Sequence, residues 1–120
     1  MHLVIDGRGE VKAWEVCRFL EECPDLIGMT VIDGPVVHKN GKRMDAITII
    51  AESHIAVHTR GGEVSVDIFS CKDFDASVVE SYVAKYFGLE GIRSEVFERV
   101  MAPVVVGVFR SNLYSGRRLK

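Results

Sequence analysis

The sequence predicts an α+β protein: a two-layer α/β sandwich, with a mostly antiparallel sheet carrying two helices on one face. Three observations carry that reading. Short segments of alternating apolar and polar residues recur along the chain. Compact turn signals, Asn40-Gly41 and Gly61-Gly62, join several of them as hairpins. Two other stretches repeat their apolar residues near a 3.6-residue period instead, which is the mark of an amphipathic helix.

Taken in order, His2 to Asp6 reads as a short strand ending at Gly7 and Gly9. From Glu10 to Glu22 the apolar residues Val11, Trp14, Val16, Cys17, Phe19 and Leu20 predict a helix, with Pro24 as its stop. Leu26 to Val37 reads as extended, broken by Asp33-Gly34-Pro35, and residues 38–42 form a polar connection. Met44 to Ala51 and Ile55 to Thr59 are strands, and Val64 to Phe69 pairs back as a hairpin. Asp75 or Ser77 caps a second helix lined by Val78, Val79, Tyr82, Val83 and Tyr86, and Gly88 ends it. Ile92 to Val100 alternates as a strand, Pro103 to Phe109 is a further candidate, and residues 111–120 form a polar tail. The order is β-α-β-β-β-β-α-β. Helices that share one face of a sheet leave its second face uncovered, and a partner protomer is one way to cover it.

A chain of 120 residues supports one core, so residues 1–120 form a single domain. The net charge of −2 offers no basic field for nucleic acid or an anionic membrane. The longest apolar run, Ala102 to Phe109, falls far short of the roughly 20 residues that span a bilayer. Asp6, Arg8 and Glu10 interrupt any apolar leader. Three cysteines without a C-x-x-C pair argue against a disulfide framework or a zinc site, so no metal is expected. A cytoplasmic setting with reduced thiols follows as the default.

One stretch resists a purely structural reading. Residues 51–59, Ala-Glu-Ser-His-Ile-Ala-Val-His-Thr, alternate as a strand, yet carry a carboxylate, a hydroxyl and two imidazoles. Such groups need partners or a task when a strand lies in the middle of a sheet. Strict alternation puts His54, Ala56 and His58 on one face and Ser53, Ile55 and Val57 on the other. Cys71 follows at the end of the next strand, a better place for a reactive thiol than Cys17 or Cys23, which read as core filler.

Glu-Ser-His-Ile-x-Val-His-Thr at 52–59, then Val-Asp-Ile-Phe-Ser-Cys at 66–71, together resemble the prokaryotic S-adenosylmethionine decarboxylase proenzymes. These are small pyruvoyl enzymes of polyamine synthesis. His2-Leu3-Val4 matches the family's opening strand. The resemblance implies a chain that cleaves itself between Glu52 and Ser53, with Ser53 becoming the pyruvoyl cofactor. It implies that His58 assists processing and that Cys71 takes part in processing and returns a proton during decarboxylation. Substrate would be held as a Schiff base on the pyruvoyl carbonyl, in a site near the interface of a homodimer. Ser53 and His58 cooperate within one chain only if the Glu52–Ser53 link bends out of the ladder.

Departures from the family bear on the substrate. Residues 60–63 read Arg-Gly-Gly-Glu where the family has Trp-Pro-Glu and an aromatic loop, and Glu63 stands in for the lost acid. His38 lies near the position of an adenine-stacking phenylalanine, and a small pocket serine falls on Asp45. For S-adenosylmethionine, His38 or Phe69 would offer a ring face to the sulfonium. For arginine or ornithine, the alternative substrates, Asp45 or Glu63 would pair with the cation. A non-catalytic, unprocessed homologue is the third reading; the presence together of Ser53, His58 and Cys71 speaks against it.

Overall fold

The structure, a computed structural model, describes residues 1–98. In chain order the elements are β1 (His2–Arg8), α1 (Ala13–Leu26), β2 (Val31–Asn40), β3 (Arg43–Ile50), β4 (Ser53–Arg60), β5 (Glu63–Phe69), α2 (Ala76–Phe87) and β6 (Glu90–Phe97). This is the expected order. The further strand expected at 103–109 and the polar tail lie outside the described residues. Among those residues no helix is long and apolar enough to cross a membrane.

The strands form one sheet in the order β2-β3-β4-β5-β1-β6, and every neighbouring pair is antiparallel. The chain makes three consecutive hairpins from β2 to β5, then uses α2 to reach the far edge. β1 lies between β5 and β6, so α1 carries the chain back across the sheet to β2.

Alternation sorts the side chains. Leu3 and Ile5 of β1, Ile55 and Val57 of β4, and Val64, Val66 and Ile68 of β5 are buried beneath the helices. Val16, Phe19, Leu20 and Cys23 of α1 and Val79, Val83 and Phe87 of α2 meet them in the same cluster, so both helices share one face. Phe19 joins the helices, its ring 4.8 Å from that of Phe87, 5.5 Å from Tyr86 and 5.9 Å from Tyr82. The sandwich is the fold class read from the sequence.

Several boundaries differ. Pro24 does not stop α1; it occupies the last turn, and the helix runs on to Leu26. Trp14 is 60% exposed and belongs to the outer surface of α1, because the buried stripe runs Val16, Phe19, Leu20, Cys23. Cys23 is core, and burial pushes its thiol up to about 12, whereas Cys17 is only partly buried. Asp75, not Ser77, caps α2: its carboxylate accepts the N–H groups of Ser77 and Val78. Glu80 accepts a hydrogen bond from the Ser94 hydroxyl. β2 is one strand through Asp33-Gly34-Pro35, with register shifts there. Gly34 has φ +111, and a Cβ would lie 3.1 Å from the Ile47 carbonyl oxygen, so the close approach of β3 requires glycine.

Phe19→Ala should destabilise the fold by about 3–5 kcal/mol, since it empties the junction of both helices and the sheet. Trp14→Ala should stay within about 0.5 kcal/mol. Urea denaturation of the two variants checks the contrast.

Candidate active site

β3 and β4 are joined by a two-residue turn, Ala51-Glu52, with Ile50 paired to Ser53. Tight hairpins of this kind favour glycine or asparagine, because a central residue must take positive φ. The other two hairpin turns obey: Gly41 has φ 63, Gly61 φ 53 and Gly62 φ 89. The β3–β4 turn does not. Glu52 has φ 64, and among the described residues no other non-glycine has positive φ. A side chain in this left-handed region stores on the order of 1–2 kcal/mol. The Glu52–Ser53 link does not bend out of the ladder, since Ser53 stays paired with Ile50; the distortion is confined to the turn at Glu52. It leaves strand alternation intact.

Ser53 opens β4 on the helix-covered face and is 9% exposed. Its Oγ accepts the backbone N–H of Cys71 at 2.9 Å. The Cys71 thiol is exposed, with Sγ 4.0 Å from the Ala51 carbonyl oxygen. The segment following β5 is tied on both sides of Cys71. Ser70 donates its N–H to the Met1 carbonyl at 2.9 Å, and its buried hydroxyl accepts the N–H of Lys72 at 3.0 Å. The strained link, the serine hydroxyl and the thiol thus come together at one end of the sheet.

His58 does not join them. It lies five positions along β4 and on the opposite face, about 16 Å away along the strand. Its register partners are Asp45 on β3 and Ser65 on β5. His58 Nδ1 is 2.7 Å from Asp45 Oδ1, and Arg43 Nε donates to Asp45 Oδ2 at 2.9 Å. The hydrogen bond with His58, helped by Arg43, holds the Asp45 carboxyl below the usual carboxylate range. An open cleft of about 620 Å³ lies at this end, bordered by Asp6, Arg43, Asp45, His58, Glu63 and Arg93. Glu63 faces Arg60 and Arg8 in register. His38 lies on the outermost strand, in register with Asp45.

The uncovered face near Ser53 carries an aromatic group that sequence reading identified only at Phe69. Phe69 stacks on His54 at 5.6 Å with rings 10° apart. His2 packs edge-on to Phe69 at 5.7 Å and lies 6.0 Å from Phe97. His2 also pairs with Asp67, and that hydrogen bond lowers the Asp67 carboxyl. The signal lay in two strand alternations, His2-x-Val4 and Asp67-x-Phe69. It could be read only once β1 was known to pair with β5.

Residues 10–100 match the family described as S-adenosylmethionine decarboxylase. This chain belongs to that family. Curated relatives include the S-adenosylmethionine decarboxylase proenzymes of Geobacillus kaustophilus, 29% identical over 65 residues, and of Anoxybacillus flavithermus, 26% identical over 65 residues. In both cases the match covers 52% of this chain and 52% of the relative. The chain spans about half the length of the curated relatives it matches. The fold is similar to that of a crystal structure described as the adenosylmethionine decarboxylase from Aquifex aeolicus VF5. The TM-score is 0.70 at 20% identity, over 86% of this chain and 92% of that one.

Replacing Glu52 with glycine should release the turn's strain, offset in part by the greater freedom of glycine in the unfolded chain. In an uncleavable Ser53→Ala background, Glu52→Gly should gain about 0.5–1 kcal/mol in urea denaturation. A loss of stability would show that the glutamate side chain supports the turn.

Proposed function

We propose that this chain is the proenzyme of a pyruvoyl-dependent S-adenosylmethionine decarboxylase, which cleaves itself between Glu52 and Ser53. Membership of the family supports the reading. The observation that carries it is the strained Glu52 link, with the Ser53 hydroxyl held next to Cys71. Backbone strain in the residue before a peptide bond can be released when that bond breaks, and a tethered nucleophile removes most of the entropic cost.

The chemistry balances with one water from solvent. Ser53 Oγ attacks the Glu52 carbonyl carbon, and the amide nitrogen leaves as an amine, so an ester replaces the amide. Loss of the Ser53 α-proton expels residues 1–52 with a carboxylate end. The dehydroalanine left at residue 53 takes up water and releases ammonia. Bound at residue 53, the pyruvoyl group supplies a carbonyl that accepts electrons as CO₂ departs. Cys71, exposed and adjacent, is the proton donor to the product. Phe69, with the stacked His54, offers a ring face to the sulfonium cation of S-adenosylmethionine. Decarboxylated S-adenosylmethionine feeds spermidine synthesis. Three free cysteines support a reducing, cytoplasmic setting.

His58 serves in this scheme from a second protomer. The face opposite the helices exposes Val36, Ile47 and Ile49, apolar surface suited to a homodimer. A two-fold axis perpendicular to the strands would lay the His58 end of one sheet over the Phe69 end of the other. Asp45 is already matched by Arg43 and His58, which weighs against its use as the charge partner of arginine or ornithine.

Intact-mass analysis should find chains of residues 1–52 and 53–120, the second with a pyruvoyl end, and Ser53→Ala should stay whole. CO₂ should be released from labelled S-adenosylmethionine in preference to arginine or ornithine. A full-length mass after prolonged warm incubation would defeat the proposal.

Mixed dimers test the placement of His58. A His58→Ala chain should stay uncleaved alone, and be cleaved when co-assembled with Ser53→Ala, which supplies an intact imidazole. Cleavage in neither case, with wild type cleaving normally, would place His58 in its own protomer's reaction.

A further inference from the structure

The pairing of Asp45 with His58 decides more than charge. Asp45 presents both oxygens: Oδ1 lies 2.7 Å from His58 Nδ1, and Oδ2 accepts from Arg43 Nε at 2.9 Å. Arg43 keeps a full positive charge at any relevant pH, so the carboxylate beside it stays ionised. An ionised carboxylate has no proton to give. The hydrogen bond at Oδ1 must therefore use a proton on the imidazole, and that proton is on Nδ1. In the neutral ring the lone pair then belongs to Nε2.

We infer that Asp45 is a positioning residue, which with Arg43 fixes His58 as the Nδ1–H tautomer and reserves Nε2 to accept a proton. Register makes this possible: Asp45 and His58 are directly opposed on β3 and β4 and share the uncovered face. Cross-strand partners at this spacing reach each other without bending either strand. Arg43 lies two residues before Asp45, on the same face of β3. The arrangement gives Asp45 a role distinct from contact with a substrate cation. The inference rests on the proposed function for its consequence, since a fixed tautomer matters where His58 moves a proton. The tautomer itself can be measured without any activity.

Full-length Ser53→Ala protein labelled with ¹⁵N keeps the chain whole, and two-bond ¹H–¹⁵N correlations at a pH where the ring is neutral report which nitrogen holds the proton. His58 should show a protonated Nδ1 and a bare Nε2. Adding Asp45→Ala should move the proton to Nε2, or mix the two forms. Asp45→Asn keeps the shape but has one acceptor: with Arg43 Nε donating to the amide oxygen, the amide N–H faces Nδ1, so the proton should move to Nε2 here too, which also guards against a folding defect in the alanine variant. In the Ser53 background, Asp45→Ala should slow self-cleavage about tenfold or more, within the range general-base catalysis contributes. A proton on Nε2 in the parent would overturn the inference. So would a tautomer and a cleavage rate both unmoved by Asp45→Ala. If the parent tautomer is Nδ1–H but the wild-type chain never cleaves, the proposed function fails while the positioning by Asp45 stands.

Discussion

A β-strand cannot place two residues five positions apart on the same side of a sheet, and β4 obeys that constraint along its length. Ser53 falls on the face covered by the helices, and His58 falls on the open one. The rest of the site follows from this separation. Ser53 finds its partner in the backbone of the segment after β5, because β5 ends beside the start of β4 and carries Cys71 past it. His58 finds its partners across the ladder, in Asp45 and through it Arg43. Chemistry that needs both groups needs either a broken strand or a second molecule. The strand is not broken.

Reactive character is confined to the end of the sheet, where it disturbs packing least. The buried layer from Leu3 through Phe19 to Val83 is largely apolar; Thr48, whose hydroxyl donates to the Asp33 carbonyl, Ser53 and Ser70 are the buried polar residues among those described. The strained residue sits in a two-residue turn outside that layer, and the thiol beside it is exposed. A core of this kind tolerates a local penalty of a kcal/mol or so, because domain stability is several times larger. The same turn built with glycine, as at Gly41 or Gly61-Gly62, would hold the hairpin equally well without stored strain.

Elements whose residues repeat at one period could be read directly. The β5 alternation, the Val79–Val83–Phe87 stripe and the glycine turns all lie where local pattern and tertiary burial agree. Errors arose where they part. Trp14 fits a helical stripe by spacing but faces water, since phase depends on where the sheet lies. Pro24 looks like a terminator, yet in the last turn it costs one N–H bond back to the preceding turn, and its own carbonyl still accepts from Ile27 and Met29 as the chain turns away. In the candidate site, Ser53, Cys71 and the need for distortion at Glu52 were visible in local sequence. The pairs His2–Asp67 and Asp45–His58 were not, because they join strands whose pairing no local pattern dictates. Asp45 was legible as a carboxylate and illegible as one already matched.

The place of β1 has a consequence for the cleavage proposed above. A break between residues 52 and 53 leaves one fragment with β1, α1, β2 and β3, and another with β4, β5, α2 and β6. In the sheet these fragments are not side by side. They are interleaved: β3 borders β4, and β1 is wedged between β5 and β6. To part them, three ladders must unzip and the shared core beneath both helices must open. A molecule severed there would be dovetailed, a heterodimer in covalent terms and a single body in every mechanical one. A new chain end can thus be created at residue 53 without loosening the walls around it.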